Sequence, residues 1–359
     1  MSVEKISLIV PTFNERDNIE PLVQRVHAAM AGLDYELLIV DDNSRDGTID
    51  IANRLSAQYP LRVLVRTEER GLATAVIHGM RNASGTVIGV MDADLQHPPE
   101  ILPSLVGAME KGADIVVASR YIPGGGVPNW GLLRRIISKG AGTISHVFLP
   151  QSRRTHDPMS GFFMFRRDKV DPDKLKPIGY KILLEILLIG DFTSPAEVPF
   201  IFEERSAGAS KLKWSTQIDY LKHILSLMSR TGELAMLIKF LLVGLSGVVV
   251  NQGLLYILTE FAGLKYFFSA IISIEASIIT NFVLNECFTF VGQRTKGFTG
   301  FLKRLGKFNV TCAAGALIQY GILLLFTEVF NVYYLISNII GIVVAFSWNY
   351  FFSRNWTWR

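Results

Sequence analysis

Val87-Ile88-Gly89-Val90-Met91-Asp92-Ala93-Asp94-Leu95-Gln96-His97-Pro98-Pro99-Glu100 joins an apolar run to two closely spaced carboxylates. The run Val87–Met91 is short, rich in Val and Ile, and reads as a buried strand. Two carboxylates one residue apart at a strand's C-terminal edge suit a hard divalent cation held against a diphosphate. Magnesium keeps several waters and takes one or two protein carboxylates plus substrate phosphates. Gln96 adds a neutral oxygen. The same residues also read as a polar strand end before a helix, whose first turn Pro98, Pro99 and Glu100 suit. The spacing alone does not separate the two readings.

Outward from this stretch, residues 1–230 alternate apolar runs with helix-length segments. Ile6–Phe13, Tyr35–Asp42, Leu61–Arg66, Val87–Asp92 and Asp114–Ser119 read as strands. Asn18–Ala31, Gly47–Gln58, Leu72–Asn82 and Pro99–Lys111 read as the helices between them. Such alternation predicts a mostly parallel sheet covered on both faces. Ligands on these sheets bind outside the carboxyl ends of strands. The polar motifs fall at those ends: Pro11-Thr12-Phe13-Asn14-Glu15, Asp41-Asp42-Asn43-Ser44, and the Asp92/Asp94 stretch. No glycine-rich dinucleotide fingerprint follows the first strand, and no phosphate loop with Gly-Lys-Ser/Thr is present, which argues against a dehydrogenase or an NTPase.

The chain has 359 residues, 49% of them hydrophobic, and a mean hydropathy of +0.31. The excess lies in four apolar segments, about Leu234–Leu258, Phe267–Phe290, Phe308–Phe330 and Tyr333–Phe352. Each approaches or exceeds the roughly 20 residues needed to cross a hydrocarbon core of about 30 Å. Arg294, Lys296, Lys303, Arg304 and Lys307 lie in the connection after the second span, whereas the other two connections hold only Lys265. The positive-inside rule places both termini and this middle connection in the cytoplasm. The N-terminus has no signal-like segment, so the first half is expected to remain cytoplasmic. Cys287 and Cys312 form neither a disulfide framework nor a zinc motif. A net charge of +4 makes no case for nucleic-acid binding.

A shift of 68 residues superposes the two halves of the apolar region. Gly247, Gly253, Thr259 and Glu260 fall on Gly315, Gly321, Thr327 and Glu328, and Asn281 falls on Asn349. Phe288-Thr289-Phe290 falls on Trp356-Thr357-Trp358. The spans therefore read as two parallel copies of a helical hairpin. Asn251, Glu275 and Asn281 lie within or near the spans, where polar groups usually turn inward and bond between helices. Two further stretches suit a membrane surface. Leu132–Lys139 is basic and amphipathic, and Trp214, Ile218, Leu221, Leu225 and Met228 recur at helical spacing beside lysines.

The ordered motifs carry a resemblance. Pro11-Thr12-Phe13-Asn14-Glu15, Val40-Asp41-Asp42-Asn43-Ser44 and Asp92-Ala93-Asp94-Leu95-Gln96 resemble those of the family 2 glycosyltransferases of GT-A fold. Ala118-Ser119-Arg120-Tyr121, Asp157-Pro158-Met159-Ser160-Gly161-Phe162-Phe163 and Gly208-Ala209-Ser210-Lys211-Leu212 narrow it to the dolichyl-phosphate mannose synthase (polyprenyl-phosphate mannosyltransferase) family, in the form with a GtrA-like membrane domain. The resemblance covers essentially the whole chain. It implies a Rossmann-like α/β GT-A domain over 1–213, an interfacial helix and linker over 214–232, and four transmembrane helices over 233–359. Pro11, Phe13, Glu15 and Asp42 would line the nucleoside pocket; the family often has Tyr where Phe13 stands. Asp92, Asp94 and Gln96 would hold Mg2+ or Mn2+ at the donor diphosphate, and Arg205 and Lys211 would bind the donor. Arg120, Arg134 and Ser138 would hold the acceptor phosphate, completing with Asp94 the reacting centre. The implied partners are GDP-mannose, dolichyl or another polyprenyl phosphate, and membrane lipids, and the implied location is the cell membrane. The implied reaction is metal-dependent, inverting transfer of mannose. A glucosyltransferase using UDP-glucose shares the motifs, and a lipid-linked sugar flippase would account for the membrane repeat. A processive polysaccharide synthase is disfavoured because no Gln-x-x-Arg-Trp motif occurs.

Overall fold

The computed structural model describes residues 5–128, 130–203, 214–293 and 297–358, with 214–216 as main chain alone. The chain divides into two compact units, Met1–Met228 and Ser229–Arg359.

The first unit is a mixed α/β sheet. Its strands are β1 (Ile6–Thr12), β2 (Tyr35–Asp41), β3 (Leu61–Val65), β4 (Val87–Val90), β5 (Ile115–Ser119), β6 (Phe163–Arg166) and β7 (Pro195–Pro199). Its helices are α1 (Arg16–Ala29), α2 (Thr48–Leu55), α3 (Leu72–Asn82), α4 (Leu102–Glu110), α5 (Leu132–Phe148), α6 (Ile182–Ile189) and α7 (Trp214–Arg230). The strand order is β3-β2-β1-β4-β6-β5-β7. Only β6 runs against its neighbours β4 and β5. Side chains alternate between two cores, as a strand's two-residue period requires. Leu8, Val10, Leu37 and Ile39 pack on the face of α1, α2 and α4. Ile9, Leu38, Val40 and Ile88 pack on the face of α3 and α6. Both faces are apolar, which is why five strands stand out as Val/Ile runs.

Two strands do not stand out. β6 is only Phe163-Met164-Phe165-Arg166, and its antiparallel place depends on a neighbour distant in sequence. β7 begins and ends on proline, a residue confined in sheets to edges and strand ends, and it is the edge strand beside β5.

Glu36 fastens the sheet at the start of β1 and β2. It accepts hydrogen bonds from Ser7 Oγ (2.6 Å), Ser84 N–H and Oγ (both 2.7 Å) and Arg62 Nη1 (3.0 Å). Burial raises the carboxyl pKa, but these donors outweigh it and hold the group at about 2. A lowered folded-state pKa stabilises above the unfolded value and is lost as pH falls from about 4.5 towards 2. Glu36→Gln is therefore expected to lose about 2 kcal/mol at neutral pH and to flatten the acid limb of the melting curve against pH. Parallel acid limbs for variant and wild type would contradict this assignment.

The second unit contains α8 (Glu233–Tyr256), α9 (Tyr266–Leu284), α10 (Phe298–Leu324) and α11 (Tyr334–Phe352). With their terminal turns, all four are long and apolar enough to cross a membrane. Each ends in one π-helical turn: Ile257–Phe261, Asn285–Thr289, Leu325–Val329 and Ser353–Thr357. Within each pair of corresponding turns, and between α9 and α11, both ends are 68 residues apart, matching the repeat read from the sequence. The contacts repeat as well. A side-chain carbon added at Gly247 would strike the amide of Asn281, and one at Gly315 would strike that of Asn349. Each asparagine thus occupies space left by a glycine on the preceding helix. Ser277 Oγ donates to the Gly247 carbonyl (2.7 Å), the interhelical bonding expected here. Glu275, by contrast, is exposed on the surface of this unit rather than turned inward.

At one end of the bundle Arg304 donates to Glu286 (3.1 and 2.5 Å), which also accepts from Trp358 Nε1 (2.6 Å). Arg354 pairs with Glu233. Each pair joins the end of one hairpin to the beginning of the other. The third span begins earlier than its hydropathy suggests, since α10 starts at Phe298. Lys303, Arg304 and Lys307 therefore lie on a helix and not in a loop. Hydropathy finds the apolar centre of a span and misses basic turns that continue it.

Candidate active site

The sheet changes direction at β1: β2 and β3 lie on one side of it, β4 on the other. Such a switch point opens a crevice at the carboxyl ends of the strands. Pro11 and the turn Phe13–Glu15 lie on one side, and the Asp92–Gln96 turn lies on the other.

The residues expected to line a nucleoside pocket are held by the first of two adjacent aspartates. Buried Asp41 accepts from Thr12 Oγ1 (2.8 Å), Ser44 N–H (2.7 Å) and Ser44 Oγ (2.8 Å). Ser44 Oγ in turn accepts from Asn14 N–H (2.8 Å), and Thr48 Oγ1 accepts from Glu15 N–H (3.0 Å). Asn14 and Asn43 adopt left-handed φ values of 55° and 59°, a conformation asparagine tolerates. Asp42 is separate from this lock. It accepts from Gly71 N–H (2.7 Å) and lies 3.4 Å from Arg66. Phe13 presents 36% of its surface, with the Arg70 guanidinium 5.1 Å from its ring centre. Arg70 was not among the residues singled out in the sequence. Pro11, Phe13, Glu15 and Asp42 are thus gathered at the ends of two paired strands, Pro11 beside Val40.

The carboxylate motif turns through Leu95, whose φ of 61° is uncommon for a residue other than glycine. This turn lets Gln96 N–H donate to Asp94 Oδ1 (3.2 Å). Asp92 N–H donates to Nδ1 of His97 (3.1 Å). Burial pushes the His97 pKa down to about 4, so the ring is neutral and accepts at Nδ1. His97 stacks on Phe162 and holds the Asp92 N–H. Gly161 faces Asp92: a side-chain carbon there would lie 3.1 Å from Oδ2. The Asp92 side chain remains one-third exposed, whereas Asp94 and Gln96 are buried. Among the described residues no three His, Cys, Asp or Glu form a metal-holding group. Two carboxylates and an amide fit Mg2+ or Mn2+ completed by water and phosphate oxygens, and do not fit a closed protein cage.

Gln96 Nε2 donates to the Glu203 carbonyl (3.2 Å), and Glu203 N–H donates to the Gln96 carbonyl (3.1 Å). Residue 203 is therefore hooked to the motif. Arg205 and Lys211 lie outside the described residues.

The remaining candidates lie just after β5 and on α5. Arg120, at the end of β5, is buried and forms a bidentate pair with Asp157, Nε to Oδ2 and Nη2 to Oδ1, both 2.7 Å. Burial alone lowers a guanidinium pKa; Asp157 more than offsets this and keeps Arg120 charged. The pair employs one edge of the five-donor fork, and the Tyr121, Trp130 and Phe202 ring centres lie 5.5, 5.3 and 5.5 Å from the guanidinium carbon. Arg134 stacks over Trp130, 4.1 Å from the ring centre. Ser138, one turn further along α5, accepts from the Tyr121 hydroxyl (2.8 Å). Tyr121, Ser138, His146, Asp157 and Met159 line a cleft of about 300 Å³. Asp157, Tyr121 and Trp130 were missed as functional residues. The first two stood in quoted motifs, but nothing local showed their partners.

The comparisons with known proteins divide the chain at the same two units. Residues 7–172 match glycosyl transferase family 2. Residues 239–358 match the GtrA/DPMS transmembrane domain. The dolichol-phosphate mannosyltransferase of Pyrococcus furiosus is 44% identical over 356 residues, 99% of each chain. That of Saccharomyces cerevisiae is 39% identical over 62% of this chain and 86% of its own. The polyprenol monophosphomannose synthase of Mycolicibacterium smegmatis is 37% identical over 59% and 82% respectively. Among solved structures, mannosyl-3-phosphoglycerate synthase from Rubrobacter xylanophilus superposes with a TM-score of 0.51 at 20% identity, covering 64% of this chain and 75% of that one. That likeness concerns the fold and shows the mixed sheet to be GT-A-like.

Proposed function

The chain belongs to the dolichol-phosphate mannosyltransferases of glycosyl transferase family 2, and from that premise we propose that it transfers mannose from GDP-mannose to dolichyl or another polyprenyl phosphate at a membrane surface. The observation that supports this reading is the closeness of a carboxylate turn and a buried arginine: Gly161, on the loop that carries Asp157, faces Asp92. Asp92, Asp94 and Gln96 lie at the β1/β4 switch point, and the Arg120–Asp157 pair lies near Ser138 on the adjacent cleft.

The acceptor, a phosphate monoester with a second pKa of about 6, is largely ionised at neutral pH. It requires no general base, which suits a site whose buried histidine is neutral. Its oxygen forms the bond to the mannose anomeric carbon as the bond to the GDP oxygen breaks, and GDP departs with the electron pair. A divalent ion held by Asp92, Asp94 and Gln96 would supply positive charge to the donor diphosphate. Arg205 and Lys211 would bind the donor from the segment beyond Glu203. Phe13 and Asp42 would receive the nucleoside, with Pro11 and Glu15 shaping its pocket. Arg120, Arg134 and Ser138 would orient the acceptor phosphate and offset the repulsion of two anions. Direct displacement inverts the anomeric centre, so α-linked donor mannose becomes β-linked product.

Exposed Leu132, Leu133, Ile136 and Ile137 on α5, and Ile218, Leu221 and Leu225 on α7, support contact with membrane lipids. Tyr220 Oη donates to the Ala141 carbonyl (2.6 Å) and joins the two helices. The four-helix domain would anchor the chain in the cell membrane with both termini and the catalytic unit cytoplasmic. The test is the anomeric configuration of the product by NMR. β-Mannosyl phosphate is expected; retained α configuration contradicts single displacement.

A further inference from the structure

Lys181 stands at the N-terminal edge of α6, in non-helical conformation (φ −91°, ψ 63°). Its Nζ donates to the Met159 carbonyl (3.3 Å) and lies 4.5 Å from the centre of the Tyr180 ring. An ammonium has three donors, and among the described residues this carbonyl is the one hydrogen-bond partner of Nζ. No carboxylate of the described residues lies within ion-pair distance of it. Enclosed charges are ordinarily paired, because leaving water without a counter-ion is costly. Lys181 is half-buried and has none among the described residues; burial first, then the nearby Arg120 charge, lowers its pKa to about 8, against the opposing pull of Asp157 and Asp92.

Its position explains what the missing counter-ion is. The loop Asp157–Gly161 carries the carboxylate that binds Arg120, the carbonyl that binds Lys181, and the glycine facing Asp92. Met159 and Asp157 also line the cleft shared with Ser138. Lys181 therefore lies beside the cleft, within reach of the fields of Arg120, Asp157 and Asp92. Arg120 offers shape there but little net charge, since Asp157 balances it across two hydrogen bonds. A phosphate monoester carries about −1.5 to −2 charges at neutral pH. Beside a nearly neutral Arg–Asp pair, Arg134 alone would leave part of that charge unbalanced, so a further cation in reach would serve the site.

We propose that Lys181 binds the acceptor phosphate directly, as the cation that pairs with its charge beside Arg120. This rests on the acceptor being a lipid phosphate, and it adds a residue to that site. In the unliganded protein the Met159 carbonyl holds the ammonium ready; with acceptor bound, the two remaining N–H groups reach phosphate oxygens.

The experiment is calorimetric binding of farnesyl phosphate to the full chain in detergent, for wild type, Lys181→Met and Lys181→Arg, with GDP plus Mn2+ and farnesol as second and third probes. Lys181→Met is expected to weaken farnesyl phosphate by about tenfold or more, the loss of a charge-assisted bond. GDP and farnesol affinities should remain within about twofold. Lys181→Arg should recover most of the loss, showing that charge and not packing is required. Unchanged farnesyl phosphate binding in Lys181→Met overturns the proposal. So does an equal loss for GDP or farnesol, or a Lys181→Arg variant as weak as the methionine. A wild type that binds farnesyl phosphate no better than farnesol overturns the acceptor reading and this assignment together. A wild type that binds it but transfers no mannose overturns only the donor reading.

Discussion

Asp157→Ala is expected to lower both stability and transfer, and to lower them separably. The carboxylate is fully buried and accepts from Arg120 Nε, Nη2 and backbone N–H at 2.7, 2.7 and 3.1 Å. Removing it leaves a buried guanidinium without its counter-ion, at a cost of about 3–5 kcal/mol. Arg120 then swings from its place, and kcat/KM for the lipid acceptor should fall by about 10²–10³, as expected when a positioned anion clamp is lost. The double variant Arg120→Met/Asp157→Leu distinguishes the two effects. A neutral pair of similar volume is often as stable as a buried ion pair, so the melting temperature should recover substantially while activity stays low. Activity returning with stability would mean that the pair is scaffolding and does not serve the acceptor phosphate.

Asp94→Ala is expected to have the largest effect on chemistry and a smaller one on the fold. Asp94 is buried, and Gln96 N–H is the donor to it that geometry identifies, at 3.2 Å. On the proposed reading, its loss would remove one of the two carboxylates, Asp92 and Asp94, that would hold the donor's divalent ion. Transfer should fall by about 10³-fold or more, in the range of losing preorganised electrostatic stabilisation. Asp94→Asn keeps the shape and one oxygen but halves the ligand charge, so it should respond to raised metal concentration where Asp94→Ala does not. Chelation of the wild type should reproduce the alanine phenotype. Full activity in a chelated wild type would remove the metal from the account.

The legible parts of the chain were those whose cause is local. Leu72–Asn82 matched a helix end to end because its apolar spacing and flanking glycine act within a few residues. Five strands were legible because both faces of each are buried. The repeat was legible through Gly247 and Asn281, and the structure adds the reason: they touch, as Gly315 and Asn349 do. What failed to show depended on distant neighbours. β6 takes its direction from β4 and β5, and β7 carries prolines that argue against a strand. The site behaves likewise. The spacing of Asp92, Asp94 and Gln96 at a strand end marked them as candidates without separating a metal site from the start of a helix. Arg120 came from a motif, but its partner lies 37 residues away, and only folding brings Asp157 to it. Lys181 stands alone before the apolar run Ile182–Ile189, with nothing nearby to mark it.

The most direct test of the central claim is transfer of radiolabelled sugar to a short polyprenyl phosphate in detergent, with GDP-mannose and UDP-glucose in parallel, with Mg2+ or Mn2+ and with chelator. The account predicts lipid-linked mannose from GDP-mannose, dependent on the metal and absent in Asp94→Ala. Transfer from UDP-glucose alone, or mannose transfer unaffected by Asp94→Ala, would contradict it.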